Sequence, residues 1–250
     1  MKTVILIPAR YESSRLPGKP LLRETGKYLI QHVYDLARRT RRPSDILIAT
    51  DDQRIRDAVV GFGGEAHMTR ADHASGTDRI AEVAANLDAD IIVNLQGDEP
   101  QFDPAALDLL ADLMEADPAV GMATLATPIR VPEYYHSPNV VKVVCDDRGR
   151  ALYFSRSPIP MVRDSTPNFT ANPPQFLHHL GVYAYRRDVL LRLAATPPHP
   201  LELTEKLEQL RALAIGVTIQ VGVVATSHRG VDTPADYADF VASWKLGTKV

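Results

Sequence analysis

Apolar positions follow two periods along this chain. Residues 4–7, 46–49 and 91–93 are short unbroken apolar runs, the pattern of strands buried on both faces of a parallel sheet. Between and after them the apolar positions recur at helical spacing: Leu29, Ile30, Val33, Leu36 and Ala37; Ile55, Ala58 and Val59; Ile80, Val83 and Ala84; Leu107, Leu110 and Met114. Strand alternating with helix predicts right-handed parallel α/β units. The polar punctuation agrees. Asp51 and Asp52 can both cap the second helix, with Asp52 the better placed, and Thr77 is set to cap the third. Asp103-Pro104 gives the fourth helix a cap followed by proline at its first position.

The pattern changes after residues 121–127. Segments 140–144 and 151–154 are strand-like and flank Asp146-Asp147-Arg148-Gly149, a hairpin signal. The following stretch, to Pro174, is rich in Pro, Asn and Thr and reads as a long loop. Residues 178–186 alternate so that His179, Gly181, Tyr183 and Tyr185 share one face of a strand. A helix is expected over 203–213 with Leu203, Leu207, Leu210 and Ala214 inward, then a strand over 217–225. Thr233-Pro234-Ala235-Asp236 is a capping box opening the last helix. Antiparallel pairing after parallel units predicts an inserted layer, so the expectation is one α/β domain over 1–250 with a β-rich insertion at about 128–190.

Composition narrows the function. At 250 residues, 45% apolar and 24% charged, the chain is globular and can bury a full core. A net charge of −3 argues against nucleic acid or an anionic membrane as partner, so an anion site has to be built locally. The single cysteine, Cys145, rules out an intrachain disulfide and a Cys-rich zinc site. The amino-terminal apolar run is too short for a signal peptide or a membrane span, which makes a cytoplasmic location the expectation.

Candidate chemistry gathers where the predicted strands end. After the first strand come Pro8, Ala9, Arg10, Arg15 and Lys19 among turn-forming residues, three cations within ten positions at the sheet edge where α/β folds bind ligands. The loop suits a polyphosphate. It is not a Walker A loop, since Gly18-Lys19 lacks the earlier glycine and precedes Pro20, and no G-x-G-x-x-G is present. Ser75-Gly76 opens a helix whose N–H groups can meet a phosphate or a base edge. Asp98 follows another buried strand, and because Asp103 caps the next helix, Asp98 is spare for a cation. Asp232, just before the Thr233 cap, is spare in the same way. His67 and His73 lack a third ligand and read as ordinary surface residues.

The pattern P-A-R-x-x-S-x-R-L-P-G-K-P-L over residues 8–21 resembles the signature loop of the sugar-nucleotide cytidylyltransferases, in the form carried by the CMP-KDO synthetases, where KDO is 3-deoxy-manno-octulosonate. Further segments agree in order: H-x-S-G-T-D-R at 73–79, Q-G-D-E-P at 96–100, H-x-G-x-Y at 179–183, L-E-Q-L-R at 207–211 and G-V-D-T-P at 230–234. Met161, Tyr28 and His228-Arg229 depart from the pattern. The resemblance implies a Rossmann-like, mostly parallel sheet of the nucleotide-diphospho-sugar transferase type, with a smaller antiparallel lid and dimerisation layer. It implies CMP transfer from CTP to KDO for lipopolysaccharide synthesis, with Mg²⁺, in a homodimer. Carried over residue by residue, it puts nucleotide on Pro8, Ala9, Arg10, Arg15, Lys19, Asp51, Ser75, Gly76, Arg79, Gln96 and Asp98. It puts metal on Asp98 and Asp232, sugar on Gln96, Arg156, His179, Tyr183, Glu208 and Gln209, and catalysis on Lys19, Arg10 and Asp98.

Two alternatives remain open at this point. The acceptor can be another acidic sugar, such as sialic acid or 8-amino-KDO, or the chain can be a nucleotide-binding regulator that retains the fold without turnover. Pyrophosphate release separates them, because a regulator gives none with any sugar.

Overall fold

The computed structural model describes residues 1–13, 15–225 and 230–247. In chain order the elements are β1 (Thr3–Ala9), α1 (Leu29–Ala37), β2 (Asp45–Thr50), α2 (Gln53–Gly61), β3 (Glu65–Met68), α3 (Gly76–Ala84), β4 (Ile91–Asn94), α4 (Pro104–Ala116), β5 (Met122–Pro128), α5 (Pro132–His136), β6 (Lys142–Cys145), β7 (Ala151–Ser155), β8 (Leu177–Arg186), α6 (Arg187–Ala195), α7 (Pro200–Glu205), α8 (Gln209–Ala214), β9 (Ile219–Val223) and α9 (Pro234–Lys245). The backbone forms two compact units, Met1–Ala111 with His228–Val250, and Asp112–Ser227.

In the first unit the strands run β3-β2-β1-β4, all parallel. Residues Val4 to Ile7 of β1 are at most 2% exposed, as a strand covered on both faces requires. The strand continues through Pro8 to Ala9. This is possible because the ladder to β4 ends at Leu6↔Asn94 while that to β2 runs to Ala9↔Thr50, so a missing N–H disrupts little. The short strand β3 lies in a segment that carries no strand pattern, since its residues are polar or half-exposed. Asp52 caps α2 through the Arg54 N–H at 2.9 Å, and Asp103 accepts from the Ala105 N–H at the start of α4. Ser75, rather than Thr77, caps α3 by accepting from the Asp78 N–H at 3.1 Å; Thr77 is buried inside the first turn. The Thr233–Asp236 capping box is present.

In the second unit β5 pairs antiparallel with β8 and parallel with β9, and the hairpin β6–β7 joins β8 through β6. This unit takes in β5, α6 to α8 and β9 as well as the segment 128–190. The helix expected over 203–213 is two short helices, α7 and α8. Lys206 between them has φ 55, the only non-glycine left-handed residue among those described. The break resets the helical phase, so Leu203 is 52% exposed and Ala214 faces solvent, while Leu207 and Leu210 are buried. No helix among the described residues is long and apolar enough to cross a membrane.

His32 on α1 is buried at 4% exposure, shares a 2.7 Å hydrogen bond with Thr25 Oγ1, and packs edge-on against Phe240 and Trp244. Burial, and then Lys27, push its pKa down from 6.5 to about 4. The unfolded chain therefore takes up this proton first as pH falls. Stability from neutral His32 is complete above pH 6.5 and is lost on descending toward pH 4, by up to about 3 kcal/mol at 1.36 kcal/mol per pKa unit. Denaturant unfolding of the wild type and His32→Gln at pH 7, 6 and 5 isolates this group. The wild type should lose stability relative to the variant as pH falls, and parallel curves would exclude the effect.

Candidate active site

The carboxyl ends of β1 and β4 open into a cavity of about 300 Å³ lined by Pro8, Ala9, Arg10, Arg15, Lys19, Ser75, Gly76, Arg79, Gln96, Asp98 and Asp232, with His73 and Gly97 among the rest. All belong to the first unit. Each nucleotide residue expected from the sequence lines this cavity except Asp51, which lines the adjoining recess. Asp51 acts on the cavity through Arg79. The Arg79 guanidinium, 4% exposed as a residue, donates to Asp51 Oδ2 at 2.9 Å and to Thr69 Oγ1 at 2.6 Å, which fixes its orientation.

Two glycines are needed for this shape. Gly18 has φ 66 and turns the cationic loop so that Lys19 points back toward the sheet edge. At Gly97 a Cβ would lie 2.7 Å from the Pro8 carbonyl oxygen, so only glycine lets the turn after β4 close on β1. That closure sets Asp98 beside Lys19. The Lys19 ammonium donates to Asp98 Oδ2 at 2.6 Å, to the Val231 carbonyl at 3.0 Å and to Asp232 Oδ1 at 3.4 Å, and Arg15 reaches Asp232 Oδ1 at 3.1 Å.

Asp98 and Asp232 thus converge on one cation, with the Lys19 ammonium as its stand-in. The oxygens are hard donors of the kind Mg²⁺ takes, one or two carboxylates with the remaining positions left for phosphate and water. No group of three or more His, Cys, Asp or Glu is arranged for a metal among the described residues, so protein alone does not complete a coordination shell. Glu99 lies behind the pair. Burial, then Asp98 and Asp232, push its pKa up to about 8, and its Oε2 has no hydrogen-bond partner among the described residues.

His73 is a correction. Instead of an ordinary surface position it has a side chain 7% exposed, lines the cavity, and is bonded through Nε2 to Glu82 Oε2. His73 and Glu82 flank the Ser75 cap, and a contact across a loop and two helical turns has no fixed spacing that the sequence could show.

A second cavity of about 310 Å³ lies in the second unit, lined by His179, Tyr183, Glu208 and Gln209 together with Asn139, His178, Gly181 and Lys206. Four of the residues expected at a sugar therefore share one cavity, and Gln96 lines the first one instead. Arg156 is not among the lining residues. Its guanidinium donates to the carbonyls of Glu205 at 2.7 Å, Pro138 at 2.9 Å and Lys206 at 3.4 Å, engaging all its nitrogens. The Tyr183 hydroxyl donates to Gln209 Oε1 at 3.2 Å, while Gln209 Nε2 is buried without a partner among the described residues. Burial, then His178, push the His179 pKa down to about 3; burial also raises that of Tyr183. Both stay neutral at physiological pH. Of the departures from the motif pattern, Met161 is 80% exposed, and His228 and Arg229 lie outside the described residues.

Comparison with known proteins identifies the family. The cytidylyltransferase family model matches residues 4–219. The 3-deoxy-manno-octulosonate cytidylyltransferase of Syntrophotalea carbinolica is 51% identical over 239 residues, covering 94% of this chain and 96% of the relative. The Escherichia coli protein of that name is 50% identical over 234 residues, covering 94% and 92%. A solved structure of CMP:2-keto-3-deoxy-manno-octonic acid synthetase complexed with CTP superposes with a TM-score of 0.92 at 47% identity, covering 99% of this chain and 100% of that one. The chain belongs to the cytidylyltransferase family, and within it to the 3-deoxy-manno-octulosonate cytidylyltransferases.

Proposed function

We infer that this chain transfers CMP from CTP to the anomeric hydroxyl of 3-deoxy-D-manno-octulosonate, releasing pyrophosphate and activating the sugar for lipopolysaccharide synthesis. The observation that carries this is near-half identity over the whole chain to a protein solved with CTP, together with a cavity in which four cations, Arg10, Arg15, Lys19 and Arg79, meet two carboxylates. The same reading brings Mg²⁺, a homodimer and a cytoplasmic location.

The chemistry asks little of covalent catalysis. The sugar's 2-hydroxyl attacks the α-phosphate in line, and the protein supplies position and charge. Arg10, Arg15 and Lys19 offer positive charge to the phosphates and to the leaving pyrophosphate. The N-terminus of α3, where Ser75 caps the Asp78 N–H, favours the same charge through its helix dipole. Arg79, held by Asp51, presents a fixed guanidinium. Asp98 and Asp232 would hold the divalent cation, which when bound would supply Lewis-acid charge to the phosphates. Tyr183, Gln209, His179 and Glu208 offer donors and acceptors to a hydroxylated sugar, each of which needs a partner once water is excluded.

Pyrophosphate release with CTP and a panel of KDO, 8-amino-KDO and sialic acid tests the reading directly, and release with KDO is the expected result. Asp98→Asn or Asp232→Asn should nearly abolish turnover. Lys19→Ala should lower kcat by roughly 10²–10³, the loss seen when a preorganised charge-stabilising donor is removed; a wild-type kcat would confine the loop to a surface role. His179→Ala should raise the KM for sugar and leave that for CTP nearly unchanged. Arg156→Ala should do the same if its carbonyl contacts shape the wall at residue 206. Unaltered sugar KM in both variants would move the sugar elsewhere.

A further inference from the structure

The coordination of Lys19 resembles that of a bound ion more than that of a surface cation. Its side chain is only 14% exposed, and three oxygens from two distant segments converge on it: Asp98 Oδ2, the Val231 carbonyl and Asp232 Oδ1 at 2.6, 3.0 and 3.4 Å. An ammonium has three N–H donors and no acceptor, so this set uses it fully. Arg15 adds a second positive group on Asp232 at 3.1 Å. The two carboxylates are already neutralised. A divalent cation approaching the same oxygens meets an ammonium at the centre of its site, and like charges a few ångström apart repel strongly in a partly desolvated cavity.

We propose that Lys19 is the resident counter-ion of the Asp98–Asp232 pair, and that it must leave the pair before a divalent cation can bind there. This rests on the reading that the pair holds the working metal. The phosphates of an entering nucleotide give the ammonium somewhere to go, because Lys19 and Arg10 line the same cavity as the N-terminus of α3. Lys19 is therefore a positioning residue for the metal as well as a phosphate contact. It keeps the carboxylates together while no metal is bound and makes the free metal a poor ligand, so metal and nucleotide enter together.

Binding of Mn²⁺ alone, with no nucleotide, tests this by electron paramagnetic resonance of the free ion. Wild type, Lys19→Met and Lys19→Arg are compared, each checked for a cooperative melt. Lys19→Met should bind Mn²⁺ about tenfold tighter than wild type, inside the 5–150-fold range of typical coupling between sites. Lys19→Arg, which keeps the charge, should stay near wild type. Adding Asp98→Asn to Lys19→Met should remove the gain. Equal Mn²⁺ affinity in wild type and Lys19→Met, or an equal gain in Lys19→Met and Lys19→Arg, would overturn the proposal. Lys19→Gln serves the same comparison if Lys19→Met does not fold. No turnover enters these measurements. A protein that releases no pyrophosphate with any acidic sugar would refute the functional reading and leave the Mn²⁺ comparison standing.

Discussion

Two carboxylates placed at one point require a cation, and the first unit is arranged around supplying it. Lys19 comes from the loop after β1, Asp98 from the turn after β4, and Asp232 from the segment that returns ahead of α9. Parallel pairing of β1 with β4 brings the first two together, since both strands end at the same edge. The third is brought in by packing. Val231, next to Asp232, lies in an apolar cluster with Leu16, Leu29, Tyr237, Phe240 and Val241, so residues three places from Lys19 and one from Asp232 are anchored in the same core. The charges are thus held in register by hydrophobic burial nearby, while Asp98 and Asp232 themselves stay partly exposed, so solvent screens what the pair adds to stability.

Features encoded locally could be read from the sequence. Apolar runs gave β1, β2 and β4, and the caps at Asp52, Asp103 and Thr233 follow from side chains two or three residues from their partners. The cationic loop and the turn carrying Asp98 were visible because strand, glycine and charge occur in one short stretch. Features that depend on the fold were not. Strand β3 pairs with β2 although its residues alternate poorly, because the edge of a parallel sheet accepts a short polar strand. The capping of α3 moved from Thr77 to Ser75, since either hydroxyl has the right chemistry and only the buried surroundings of Thr77 decide. The break at Lys206 carried no glycine to announce it. The pairing of His73 with Glu82, and the isolation of Glu99, depend on contacts that no sequence period encodes.

In the second unit several cationic side chains are held by backbone carbonyls. Lys142 is fully buried on β6, and its ammonium donates to the carbonyls of Ser137, Val140 and Arg156 at 2.9, 2.6 and 2.5 Å. Arg156 donates in turn to the carbonyls of Pro138, Glu205 and Lys206. The carbonyls of Pro138, Val140, Glu205 and Lys206 lie where α5 and α7 end, outside any strand ladder or continuing helix. A long cationic side chain meets several such oxygens from one point. Arg156 therefore shapes the second cavity indirectly: its contacts fix the backbone of Glu205 and Lys206, and the chain from there carries Glu208 and Gln209 into that cavity.

Hydrogen-bond polarity in that cavity can be worked out from Thr124. Its single hydroxyl proton has two backbone acceptors, the Val182 carbonyl at 2.8 Å and the Leu180 carbonyl at 3.2 Å; given to either, it leaves the oxygen to accept, and His179 Nε2 lies 3.0 Å away. A neutral imidazole in this position carries its proton on Nε2 and donates it to Thr124. His179 Nδ1 then remains an acceptor. The Tyr183 hydroxyl donates to Gln209 Oε1, which fixes the amide so that Nε2 is the group left over as a donor. Core residues thus decide the polarity of these two side chains, an acceptor at His179 and a donor at Gln209, whose Nε2 is itself buried. Converting Thr124 to Val would keep the volume, remove the oxygen that accepts from His179, and free the ring to change tautomer, so the order of donors and acceptors across the cavity rests on a buried hydroxyl of β5.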